Sequence, residues 1–226
     1  MQYKNMLEAR FLSRPNRFIA HIEVNGQEEV CHVKNTGRCK ELLVPGCTIY
    51  VQHHDDAKRK TKYSLIAVKK GDILINMDSQ APNKVVQEWL KEKHPFGEMT
   101  LLKPEYTHGD SRFDFYLETV GKKMFIEVKG VTLEEDGVVK FPDAPTERGV
   151  KHVRELAELV QSGCECAIIF VVQMSGMKYF MPNWQTHAEF GEALSKAKSV
   201  GVQIYAYECA VAVDSLKITR EIPVQL

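Results

Sequence analysis

Three residues carry the sharpest chemical signal in this chain: Asp114, Glu127 and Lys129. Segments 112–118 and 124–131 read as two extended stretches around a turn at Val120-Gly121. A hairpin turning there sets Asp114 directly opposite Glu127, and opposed strand residues hold their Cβ atoms about 5 Å apart on one face. Lys129 projects from the face of Glu127, because strand side chains alternate. Two opposed carboxylates repel unless a cation lies between them. Mg²⁺ suits that place, since it takes oxygen ligands and keeps waters or phosphate oxygens; Mn²⁺ is a substitute. Such an ion lowers the pKa of a water and stabilises charge on a phosphodiester. Lys129 is then placed to orient that water or to neutralise the developing phosphorane. The same spacing also fits an exposed hairpin face on which Glu127 and Lys129 are merely solvated. Against that, Phe125-Ile126-Glu127-Val128-Lys129 is apolar enough for a central strand, where charged side chains are seldom without purpose.

The flanks supply polar and basic groups. Thr107-His108-Gly109-Asp110-Ser111-Arg112 leads into Asp114. Downstream, residues 141–149 open a helix over about 146–161, with Val150, Val153, Leu156, Leu159 and Val160 inward. Its polar side bears Arg148, Lys151, His152 and Arg154, and helix N-termini and basic side chains both suit phosphate. Lys151 and Arg154 equally suit pairing with Glu155 and Glu158 at helical spacing. An earlier helix starts near Pro82 and carries Val85, Val86, Trp89 and Leu90 on one stripe. A strand at 168–172, a helix at 187–199 and a strand at 203–207 complete an α/β pattern.

The first 80 residues read differently. Short strands are expected at 18–24, 30–33, 48–51, 63–68 and 72–76, the first closed by the Asn25-Gly26 turn. These strands, without a long helical pattern, indicate a small closed barrel of the OB type or a related one over 1–80, followed by an α/β domain over 81–226. The chain as a whole is neutral, with 30 Lys/Arg against 30 Asp/Glu. Residues 1–80 hold 13 basic and 9 acidic groups, and the remainder 17 and 21. A neutral total excludes a strongly basic, histone-like binder; the uneven split keeps a polyanionic partner open. Lys34, Arg38 and Lys40 flank Gly37, where a bare backbone lets phosphate approach closely.

The six cysteines form no C-x-x-C and no zinc-finger spacing. With no export leader evident in residues 1–6, the expectation is reduced thiols in the cytoplasm. The longest apolar run, 167–172, falls far short of the roughly 20 residues that span a bilayer.

Asp114 followed by Glu127-x-Lys129 and a basic helix resembles the core of the PD-(D/E)xK nuclease superfamily. More closely, the runs 107–115, 126–133 (Ile-Glu-Val-Lys-Gly-Val-Thr-Leu) and 141–149 (Phe-Pro-Asp-Ala-Pro-Thr-Glu-Arg-Gly), with 35–46 upstream, are similar to the bacterial sugar fermentation stimulation protein family. The likeness spans nearly the whole chain. It implies an OB-like barrel followed by a nuclease-like α/β domain, and DNA binding without marked sequence preference. It also implies a regulatory link to sugar use. By resemblance, Asp114 and Glu127 are metal ligands, Lys129 is the catalytic lysine, and Glu88 matches a glutamate that some branches add from the preceding helix. Phe113 stands where the superfamily name has proline, and Thr36 where many relatives are expected to have one. The leading expectation is a Mg²⁺-dependent nuclease, with Arg38 and Arg148 as foremost phosphate contacts. The alternatives are a non-catalytic DNA-binding regulator that retains the nuclease fold, and an enzyme acting on RNA or a nucleotide.

Overall fold

The computed structural model describes every residue except Thr36, so the expected departure at that position lies outside the described residues. The N-terminal part is built from β1 (Met6–Ser13), β2 (Ile19–Val24), β3 (Gln27–Val33), β4 (Thr48–His53), β5 (Tyr63–Lys70) and β6 (Ile73–Asn76). Alternation packs Ala9, Phe11, Ala20, Ile22, Cys31, Val33, Ile49, Val51 and Leu65 inside. β1 pairs with both β2 and β4, and the parallel β3–β5 pair closes the ring. The order β1-β2-β3-β5-β4 returning to β1 makes an OB barrel, with β6 added beside β5. Asn25 and Gly26 both take positive φ at the β2–β3 turn, as the sequence demands.

The second part begins with α1 (Ala81–Lys93), then β7 (Met99–His108), β8 (Ser111–Thr119) and β9 (Lys122–Val131). β10 (Leu133–Glu135), β11 (Val138–Phe141), α2 (Glu147–Gln161) and β12 (Glu165–Val172) follow. β13 (Tyr179–Pro182), α3 (Trp184–Ser199), β14 (Gln203–Ala212) and β15 (Ser215–Ile222) end the chain. The main sheet has the order β15-β14-β12-β9-β8-β7, parallel across β9, β12 and β14 and antiparallel outside them. β12 is apolar and buried from Cys166 to Val172, as a parallel strand covered on both faces must be. On one face α1 sets Val85, Val86 and Leu90 against Phe115, Leu117, Ile126 and Val128. On the other, Val150, Val153 and Leu156 of α2 join Phe113, Phe125, Ile168 and Phe170.

The β8–β9 hairpin positions the site. Thr119 pairs with Lys122 around Val120-Gly121, and the ladder runs in step to Phe115 opposite Ile126. There the strands part. Instead of facing Glu127 across the ladder, Asp114 turns its carboxylate onto β9, where the Val128 N–H donates to Oδ2 at 2.7 Å. A side chain thus takes the place of a strand partner and opens the sheet at this point. All six cysteines are free thiols, and among the described residues no helix is long and apolar enough to cross a membrane.

Candidate active site

Glu127 sits in the middle of β9, 3% exposed, and points toward α2 because odd-numbered residues of this strand face that side. Its Oε1 accepts from Lys129 Nζ and from His152 Nδ1, each at 2.5 Å. Its Oε2 is buried and has no partner among the described residues. Asp114 is held from the opposite layer: Asn83 of α1 donates to Oδ1 at 2.7 Å. The two carboxylates lie near enough to sense one another's charge. Burial and Glu127 push the Asp114 carboxyl above its ordinary range, with the Val128 and Asn83 hydrogen bonds and Lys129 acting the other way. Burial also works against ionisation of Glu127, yet His152 and Lys129 outweigh it and draw that carboxyl below its ordinary range.

This donor set fits a hard divalent cation. Two carboxylates from neighbouring strands, one with a buried and unsatisfied oxygen, match what Mg²⁺ takes from a protein while keeping waters or phosphate oxygens. Only one group of three donor side chains close enough for a shared ion occurs among the described residues: Glu147, His187 and Glu189. Nothing in the sequence pointed there. His187 Nδ1 accepts the Thr146 N–H at 3.3 Å, so a neutral ring keeps its hydrogen on Nε2, facing the two acids. His187 Nε2 lies 3.6 Å from Glu147 and 3.8 Å from Glu189, and Glu189 is already paired with Arg154.

The other expected site residues separate into those brought to the carboxylates and those placed elsewhere. His152, expected on the polar side of α2, is 5% exposed and turned inward. It is one helical turn before Leu156 and two before Leu159, so it belongs to the apolar stripe, a spacing that reveals its burial in retrospect. Glu88 is not at the carboxylates: it binds the Met1 amino group at 2.7 Å in a hollow shared with Val85, Trp89 and Lys217. The face of α1 that does line the cleft of Asp114 presents Asn83, Lys84 and Gln87. Sequence reasoning missed Asn83, although its spacing of four from Gln87 marks a polar stripe opposite the buried one. Lys34 is largely buried and paired at 2.8 Å with Asp78, whose carbonyl in turn accepts from Gln173 of the α/β domain.

Arg38, Lys40 and Arg148 are exposed, and none forms an ion pair among the described residues. Lys151 lies 3.6 Å from Glu155, as its spacing allowed, whereas Arg154 binds Glu189 at 2.7 Å and not Glu158. The Arg14 guanidinium donates to the carbonyls of Asn35, Gly37 and Arg38. Gly37 packs so closely on Asp143 that a Cβ there would meet its Oδ2 at 2.2 Å. Arg38 follows Gly37 at this contact between barrel and α/β domain, and Arg148 lies five residues beyond Asp143 at the start of α2.

An OB barrel fused to an α/β domain, with acids and a lysine where the central hairpin opens, defines a two-domain class of protein. The family model "SfsA N-terminal OB domain" matches residues 12–77, and "Sugar fermentation stimulation protein RE domain" matches residues 80–215. The chain belongs to the sugar fermentation stimulation protein family. It is 57% identical over 226 residues to a homologue from Clostridium beijerinckii, covering 100% of both chains. A Desulfitobacterium hafniense homologue is also 57% identical, with 100% of this chain and 99% of that one covered. Among solved structures, Pyrococcus furiosus SfsA in complex with Ca²⁺ superposes with a TM-score of 0.90 at 26% identity, covering 100% of this chain and 98% of that one.

Proposed function

We propose that the protein is a Mg²⁺-dependent phosphodiesterase acting on nucleic acid, with DNA as its substrate, through Asp114, Glu127 and Lys129. The observation that carries this reading is the buried, unpartnered Glu127 Oε2 beside a second carboxylate and a lysine. That the Pyrococcus furiosus relative was solved with Ca²⁺, another cation that takes oxygen ligands, supports a carboxylate-held divalent ion.

Asp114 and Glu127 would hold the ion, which supplies an acidified water and a positive charge beside the scissile phosphate. Lys129 orients the attacking water or stabilises charge on the phosphate. Arg38, Lys40, Arg148 and Lys151 hold the strand by its backbone, giving contacts without base preference. Positive charge gathered on the barrel and on the first turns of α2 compensates for the neutral total.

The test is incubation of end-labelled single- and double-stranded DNA and RNA with the full chain and Mg²⁺ or Mn²⁺. Cleavage by wild type and none by Asp114→Ala is expected. Salt-sensitive binding by wild type without cleavage contradicts the enzymatic reading and leaves a non-catalytic DNA-binding regulator.

A further inference from the structure

We infer that His152 is the positioning residue that aims Glu127 at its divalent cation, an assignment that rests on the metal-dependent reading above. The two oxygens of Glu127 are unequal: one accepts two hydrogen bonds of 2.5 Å, while the other is buried and bare. Two donors on a single oxygen fix the plane of the carboxylate and leave the other oxygen's lone pairs directed away from them. A carboxylate only accepts, so the Nδ1 of His152 carries the hydrogen in this contact.

The two donors differ in freedom. Lys129 reaches Glu127 along a flexible stem, and 16% of its side chain remains exposed. It can leave for a phosphate or a water. His152 is confined: its ring sits near that of Phe113, at 6.1 Å between centroids, on a helix face packed through Val153 and Leu156. Whenever Lys129 turns to the reacting groups, His152 remains to keep Glu127 in register. Histidine thus acts here through the ligand and does not touch the reacting atoms.

Mn²⁺ titration of the metal-stripped full chain, followed by the electron paramagnetic resonance of the free ion, tests this without calling on activity. His152→Leu fills the same space without a donor, and His152→Asn restores an N–H near the position of Nδ1. Wild type should bind, His152→Leu should bind about 10–100-fold more weakly, and His152→Asn should recover most of the loss. His152→Ala provides the same comparison if the leucine variant does not fold, with circular dichroism as the check. Binding by the donor-free variant equal to wild type overturns the assignment while leaving the metal reading intact. So does a folded His152→Asn as weak as His152→Leu. Absence of Mn²⁺ binding by folded wild type overturns both.

Discussion

Burial and the charge of Glu127 raise the carboxyl of Asp114, whereas His152 and Lys129 hold that of Glu127 down against its own burial. The two groups therefore affect stability in opposite directions. The fold favours protonated Asp114, so its contribution is present below the ordinary carboxylate range and is lost as pH rises through its raised value. The fold favours ionised Glu127, whose contribution is present above the ordinary range and is lost as pH falls through its depressed value. Thermal melts in chelator at pH 7 should then show Asp114→Asn above wild type, since Asn83 can rotate its amide to accept from the new side chain. Glu127→Gln should melt below wild type, and both differences should fade in acid. For a chain of this size about 1 kcal/mol corresponds to about 2–4 °C. Mg²⁺ should narrow the first gap by stabilising wild type alone. Melts that are unmoved by either substitution contradict the electrostatic account. At this scale residue type and spacing singled out Asp114, Glu127 and Lys129, but the shared face expected for the two carboxylates is not found, because Asp114 turns onto the Val128 N–H. An amide such as Asn83 leaves no comparable mark, because its role arises from tertiary approach between α1 and β8.

The opening of the β8–β9 ladder depends on neighbours that crowd the end of β9. A Cβ at Gly130 would lie 2.6 Å from Gln173 Oε1 and 2.8 Å from Pro82 Cγ, so only glycine lets the start of α1 approach this strand. Gly130→Ala should cost about 1–3 kcal/mol in chemical unfolding. It should also reduce cleavage, since Asn83 follows Pro82 and loses its seat on Asp114. A variant as stable as wild type would show that α1 yields freely. The hairpin itself was legible from its turn and apolar alternation. β7 was not, because Pro104 and the positive φ of Glu105 interrupt the strand pattern on an edge that tolerates both. β1 was missed because only Ala9 and Phe11 of its eight residues are buried. The ladder arithmetic failed at one residue pair, where the Asp114 side chain displaced the backbone pairing it was expected to follow.

Barrel and α/β domain meet through a buried polar network that a neutral charge count conceals. Lys34 binds Asp78, Tyr3 donates to Asp78, and Gln173 donates to the Asn76 side chain and to the Asn76 and Asp78 carbonyls. Asp78 is fully buried. Removing Lys34 leaves that acid without its cation, and Lys34→Ala should lower unfolding stability by about 3 kcal/mol. Arg38→Ala should leave stability unchanged and instead flatten the salt dependence of DNA binding by roughly one unit. A reversal of these two phenotypes would return Lys34 to the binding surface. Charge patterning distinguished the two parts of the chain but could not separate a joint from a contact, since Lys34 and Arg38 are both basic residues within three positions of Gly37. The proposed chemistry lies with Asp114, Glu127 and Lys129 of the α/β domain. Single-turnover cleavage of labelled DNA with Mg²⁺ by wild type, Glu127→Gln and Lys129→Ala is its most direct test. Wild type should cut, and each substitution should slow cutting by about 10²–10³-fold or more. No cutting by wild type, or cutting at the wild-type rate by both variants, would contradict it.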